Sequence, residues 1–359
     1  MSRALGVLSR QGLRQARPGE FTQRAFLHGK MDLSEAEAVQ DLISATARRG
    51  AACAMEQLSG ALRRRIQQVE AGLLDALSGV DAAIDYPEEL EEDVFSALPA
   101  ALEEARESLE GLIQTGRQGR VLREGVKAVI LGLPNAGKSS LLNALVEEER
   151  AIVTPQAGTT RDIVEAQCAM EGLAVRLLDT AGLREAQDAA ERIGVDRAVA
   201  AAEGADLVLL CLDGSHPLSE AERDLISRPY GAKRLCAVCK ADLGVCGDAL
   251  GLAASQGMEA LAVSAKTGQG LDALKKAIAR LAAPADMESA LVTNSRHVQA
   301  LEEALAAVES AAASLEGGLD PELAATDLRA ALYALGQITG EAVDEAVVER
   351  IFSRFCVGK

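Results

Sequence analysis

The run Val126 to Ser140, VKAVILGLPNAGKSS, constrains this chain more than any other stretch: a short apolar strand empties into a glycine-rich turn and then a helix. Gly132, Gly137, Lys138 and Ser139 fill the pattern G-x-x-x-x-G-K-S, and Leu141, Leu142 and Leu145 then recur at helical spacing. Glycines at such a turn let backbone N–H groups close around phosphate oxygens, and the helix N-terminus adds its partial positive charge. Asn135, Ala136, Gly137, Lys138, Ser139 and Ser140 are therefore expected to cradle phosphates. Lys138 would reach the terminal ones, and the Ser139 hydroxyl would be offered to Mg²⁺.

Four further signatures follow in the order a guanine-nucleotide site needs. Gly158-Thr159-Thr160-Arg161-Asp162 is a polar loop in which the Thr160 hydroxyl can complete a Mg²⁺ shell. After the apolar run Ala174 to Leu178, Asp179-Thr180-Ala181-Gly182 supplies a carboxylate that can hold Mg²⁺ through water, and the Gly182 amide can sense the γ-phosphate. Lys240-Ala241-Asp242 ends the apolar strand Arg234 to Cys239, and Ser264-Ala265-Lys266 ends another, Glu259 to Val263. Asp242 can accept from the N1–H and amino group of guanine, whereas adenine would present an acceptor to the same carboxylate. GTP and GDP are thus expected over ATP. Guanine loops usually read Asn-Lys-x-Asp, and here Cys239 stands at the Asn place. A thiol is a weak donor, so a cost of about 1–3 kcal/mol in nucleotide affinity is expected, with guanine preference kept through Asp242.

Around this module the chain reads as helical. Ser34-x-x-Glu37 has the form of a capping box, and Val39, Leu42, Ile43, Leu58, Leu62, Ile66, Val69, Leu73 and Leu77 keep helical spacing up to a break at Asp85-Tyr86-Pro87. Helix returns from Asn294, with turns at Gly317 to Pro321 and Gly336 to Gly340. Between about Glu124 and Ala283 short β-runs alternate with helices. The fold class implied is an α/β P-loop domain with a doubly wound mixed sheet, inserted into an all-α helical domain whose two flanks pack together.

The net charge of −17 argues against gathering nucleic acid by charge alone, so contact with RNA must be local or through a partner. Arg63-Arg64-Arg65 with Arg48 and Arg49, and the group Arg117, Arg120, Arg123 and Lys127, are the candidate patches for such contact, against the plainer reading of solvated helix faces balanced by nearby glutamates. No apolar run is long enough to span a bilayer, the start lacks the apolar core of a signal peptide, and seven irregularly spread cysteines suit reduced thiols; a cytoplasmic address is expected. Cys236 and Cys239 lack further ligands of matching spacing, so their C-x-x-C reads as incidental to a buried strand.

After the Asp-Thr-Ala-Gly turn comes Leu183, where Ras-like hydrolases carry a water-orienting glutamine. An apolar side chain cannot orient water, so hydrolysis must borrow another group. Arg184, Glu185, Asp188, Glu191 and Arg192 are all candidates within Leu183 to Gly194.

Taken with GLPNAGKSSLLNAL (Gly132 to Leu145), IVTPQAGTTRD (Ile152 to Asp162), DTAGLRE (Asp179 to Glu185), RPGEFTQRAFLHGKMDLSEAEAV (Arg17 to Val39) and the terminal FCVGK (Phe355 to Lys359), the chain resembles the MnmE (TrmE) family of tRNA-modification GTPases from Gln15 onward. The resemblance implies a K⁺-activated GTPase acting with the FAD protein MnmG (GidA). Together they place an aminomethyl or carboxymethylaminomethyl group on C5 of the tRNA wobble uridine, using a folate-borne one-carbon unit. It implies K⁺ held by Asn135, Thr154 and Thr159, and water positioned by Glu191. Cys356 and Arg161 join Glu191 as catalytic candidates. It also implies a homodimer whose GTPase domains meet when GTP is bound, with tRNA reached mostly through MnmG.

By the family layout, residues 1–30 are the remnant of a β-rich folate-binding domain, 31–120 the first helical part, 121–285 the GTPase domain, and 286–359 the second helical part with the FCVGK tail. Arg24 and its neighbours in Glu20 to Lys30 are the only matched residues near folate, so folate binding by this chain is not expected. Two other readings stay open at this point: a regulatory GTPase of ribosome assembly, and a GTP-binding scaffold with little turnover.

Overall fold

A computed structural model describes residues 10–147, 164–179, 202, 204–283, 291–317, 321–353 and 355; of residues 87–96, 117, 164, 165 and 179 it describes the backbone alone. In chain order the elements are α1 (Glu20–Leu27), α2 (Leu33–Ser44), α3 (Arg48–Leu58), α4 (Ala61–Asp85) and α5 (Pro87–Glu124). There follow β1 (Val126–Leu131), α6 (Lys138–Glu147), β2 (Val164–Met170), β3 (Leu173–Asp179), β4 (Leu207–Asp213), α7 (Glu220–Ser227) and β5 (Lys233–Cys239). Then come α8 (Asp248–Ser255), β6 (Glu259–Ala262), α9 (Leu271–Ala282), α10 (Ser295–Glu316), α11 (Pro321–Thr339) and α12 (Glu345–Phe352). They form two compact units: Met1–Ala45, Ala51–Arg123 and Glu288–Lys359 make one, and Thr46–Gly50 with Glu124–Met287 the other.

The helical unit is discontinuous in sequence, and its core explains why. Leu62, Ile66, Val69, Leu73, Ala76 and Val80 of α4 recur every three or four residues, as do Leu98, Leu102, Ala105, Leu109 and Leu112 of α5; each stripe is buried. Ala300, Leu301, Ala304 and Val308 of α10 and Leu328, Ala331, Leu335 and Ile338 of α11 complete the same core. Neither flank alone could bury its stripe. A second cluster joins Leu33, Ala36, Val348, Phe352 and Phe355, with the Phe352 and Phe355 ring centroids 5.2 Å apart.

Two local expectations change. The capping box of α2 is built by Asp32 and Glu35, not by Ser34 and Glu37: Asp32 Oδ1 accepts from the Glu35 N–H at 2.7 Å, and Glu35 Oε2 accepts from the Asp32 N–H at 2.8 Å. Asp-x-x-Glu satisfies the same geometry two residues earlier, which lets Leu33 open the helix fully buried. Gly336 does not interrupt α11, which runs on to Thr339 before Gly340 turns the chain.

The nucleotide unit is a six-stranded sheet in the order β2-β3-β1-β4-β5-β6. β2 is antiparallel to β3 across a tight Glu171-Gly172 turn; the other neighbouring pairs are parallel. β4 is buried along its whole length, which accounts for its unbroken apolar run Leu207 to Leu212. β1 lies between β3 and β4, so connections leave it in opposite directions and a crevice opens at its carboxyl end.

Candidate active site

Because β1, β3, β4, β5 and β6 run parallel, the segments that leave their carboxyl ends gather at one edge of the sheet. There lie the Gly132 to Ser140 turn, Asp179, Asp213, the Lys240 to Asp242 loop and the Ser264 to Lys266 loop.

The turn after β1 has the shape of a phosphate cradle. Asn135 (φ 65°) and Gly137 (φ 99°) both adopt left-handed backbone, which turns successive amides inward. A Cβ at Gly132 would come within 2.3 Å of the Cys211 carbonyl oxygen, so only glycine permits this approach between β1 and β4. Lys138 is nearly buried, and its Nζ donates to the carbonyls of Gly132 and Leu133 at 2.8 Å each. The ammonium is thus folded over the cradle by the loop's own carbonyls. Asn135, Ser139 and Ser140 are exposed at its rim and Ala136 is buried beneath it.

Two cysteines pack against this loop. Cys211 lies against Gly132, and the Cys239 Cβ lies 3.3 Å from where a Gly137 Cβ would stand. A hydrogen bond with Cys239, together with full burial, pushes the Cys211 thiol well above its usual range, which keeps it protonated.

The base-side loops are tied to each other. Asp242 is exposed, and its Oδ1 accepts from the Ser264 hydroxyl at 2.7 Å; that bond lowers the carboxyl's pKa and keeps it an acceptor. Ser264 is fully buried and also accepts from the Thr267 N–H at 3.3 Å, while the Ala241 N–H donates to the Val263 carbonyl at 3.1 Å. Ala265 and Lys266 continue the same loop, with Lys266 exposed on the side of Asp242.

Asp213 was not read from the sequence. Lys240, in left-handed backbone at φ 59°, donates from Nζ to Asp213 Oδ2 at 2.5 Å. Burial works to raise the Asp213 pKa, but hydrogen bonds from Lys240 and from the Ser215 amide and hydroxyl outweigh it and hold the carboxyl at about 2. The signal was available in Asp213-Gly214-Ser215, a turn-forming triplet directly after an apolar run.

Asp179 closes β3, paired in register with Ile130 of β1. Thr154, Gly158, Thr159, Thr160, Arg161, Gly182, Glu191 and Cys356 lie outside the described residues. The residue before Cys356, Phe355, is buried in the cluster of Leu33, Val348 and Phe352. In the helical unit, Arg63 and Arg123 pair with Glu35 and Asp41, which leaves less positive charge there than the sequence suggests. No described helix is long and apolar enough to cross a membrane.

A family model described as the MnmE helical domain matches residues 33–356. The protein named tRNA modification GTPase MnmE from Symbiobacterium thermophilum is 45% identical, the match covering 99% of this chain and 79% of that one. Proteins of the same name from Heliobacterium modesticaldum and Geobacillus kaustophilus are 43% and 42% identical, covering 78% and 79% of their own lengths.

Proposed function

The chain belongs to the MnmE family of tRNA modification GTPases, and on that premise we propose that its GTP hydrolysis is activated by K⁺ and serves C5 modification of the tRNA wobble uridine with an MnmG-type FAD protein. The chain is a GTP hydrolase that binds guanine nucleotide. The observation that carries it is Asn135, an exposed amide at the crest of the phosphate cradle, held outward by left-handed backbone in a chain whose Leu183 cannot orient water.

The residues present fit the ions the family implies. Hard oxygen donors suit both: Ser139, Thr160 and Asp179 would hold Mg²⁺, and Asn135, Thr154 and Thr159 would hold K⁺. When bound, these cations supply positive charge to the phosphate oxygens as the bond to the γ-phosphorus breaks. The chain's own residues do the rest. The Asn135 to Ser140 cradle orients the triphosphate, Lys138 stands over it, Gly182 contacts the γ-phosphate, Arg161 lends charge nearby, and Glu191 orients the attacking water. Asp242, braced by Ser264, selects the base. Cys356 is assigned to the modification chemistry of the helical unit, and the two GTPase units of a homodimer meet when GTP is bound. With a net charge of −17, the chain engages tRNA mainly through its partner.

The test has two arms. GTP turnover is compared in K⁺ and Na⁺ salts, with stimulation expected from K⁺ alone; equal rates remove the cation from the reading. A host lacking its own copy is then complemented with this chain or with Glu191→Ala, and C5-modified wobble uridine is measured by mass spectrometry. Whatever modification the parent chain restores, Glu191→Ala should restore less, whereas equal levels from both would favour a scaffold with little turnover.

A further inference from the structure

Guanine presents two edges to a protein: the Watson–Crick edge, where N1–H and the amino group donate, and the opposite edge, where N7 accepts. Asp242 is an acceptor and can serve only the first. N7 belongs to the imidazole ring, which carries the sugar and its phosphates, so a donor for it must stand between the phosphate cradle and Asp242. The end of β5 occupies that position: Cys239 packs on Gly137 of the cradle, and Asp242 follows three residues later.

Three donors at this strand end are committed elsewhere. Cys239 is 4% exposed, and its Sγ is directed back at the Ala237 carbonyl, 3.7 Å away. The Lys240 ammonium is held by Asp213, and the Ala241 N–H by the Val263 carbonyl. Lys266 belongs to the loop that Ser264 ties to Asp242, and its charge acts on that carboxylate. A thiol would be a weak donor even if it turned.

We propose that this site recognises guanine by its Watson–Crick edge alone, with N7 left without a donor among the described residues, and that Cys239 is the residue that sets this one-edged specificity. The inference rests on the assignment of Asp242 to the base and deepens it. It makes the pocket tolerant of guanine nucleotides altered at N7 while it still rejects adenine.

The experiment is a titration of the full chain with Mg²⁺ and GTP, 7-deaza-GTP, in which a C–H replaces N7, or ATP. The expected result is 7-deaza-GTP binding within about twofold of GTP, with ATP at least about a hundredfold weaker. A second arm uses Cys239→Asn, whose carboxamide can donate: GTP should bind roughly tenfold more tightly than to the parent while 7-deaza-GTP gains little. If the parent chain binds 7-deaza-GTP about tenfold or more weakly than GTP, N7 is being read and the inference is overturned, although Asp242 keeps its role. If ATP competes equally, the assignment of Asp242 fails instead. The parent comparison decides the matter even if Cys239→Asn does not fold.

Discussion

Glu37 and His297 stand 260 residues apart in sequence, yet Glu37 Oε2 accepts a hydrogen bond from His297 Nε2 at 2.7 Å in the interior of the helical unit. The same carboxylate receives Arg296 Nη2 at 2.8 Å and Asn294 Nδ2 at 3.0 Å. It therefore joins the flank that precedes the nucleotide unit to the flank that follows it.

Removing that carboxylate should be costly. Glu37→Ala leaves the Arg296 guanidinium and the His297 ring partly or wholly buried without their anion, a loss of about 3–5 kcal/mol by analogy with broken buried ion pairs. Urea unfolding followed by helical circular dichroism measures it. An unchanged midpoint would show that the cluster contributes nothing to stability.

The cluster also sets an acid response. Burial works to raise the Glu37 pKa, but His297 and Arg296 outweigh it and bring it from the usual 4.5 to about 2. A depressed carboxyl pKa means that the stabilisation is fully present above the unfolded value and is lost as pH falls toward the folded one. The helical unit should therefore weaken between about pH 4.5 and pH 2, and Glu37→Gln should flatten that limb. Asp41, whose pKa burial raises, acts in the opposite sense, so the two proteins must be compared across the same titration.

Gly132→Ala should abolish nucleotide binding, since its Cβ would press on the Cys211 carbonyl, a backbone atom of the adjoining strand that cannot move aside without parting β1 from β4. Calorimetric titration with GTP detects this. Retained affinity would mean that the approach of the two strands is not needed for the cradle.

Asp213→Asn should weaken GTP binding roughly tenfold by loosening Lys240, through the loss of a charge-assisted hydrogen bond. Asp213→Glu, which keeps the charge, should restore part of the loss. Equal affinities for all three proteins would separate Asp213 from the base-side loop.

The strand ends were the legible part of this chain. A glycine-rich turn after an apolar run, and Asp242 and Ser264 after two more, announce their places because each depends on a few adjacent residues. Cys211 and the cross-flank role of Glu37 escaped because their partners come from a neighbouring strand or from the far flank, and sequence spacing carries no record of such pairings; for Asp213 the turn triplet was on view but the Lys240 partner was not. The capping box was misplaced by two residues because Asp32 and Ser34 are both good caps with a glutamate three residues on, and only the burial of Leu33 chooses between them.

The order of synthesis gives the split helical core a further meaning. The stretch from Glu124 to Met287 emerges as one piece and can assemble its sheet early, whereas α4 and α5 must wait, their apolar stripes open, until α10 and α11 leave the ribosome. At roughly 5–20 residues per second that wait lasts about ten to forty seconds. During it the nascent chain already holds a finished nucleotide unit beside an unfinished one, and chaperones have their longest opportunity to engage those exposed leucines.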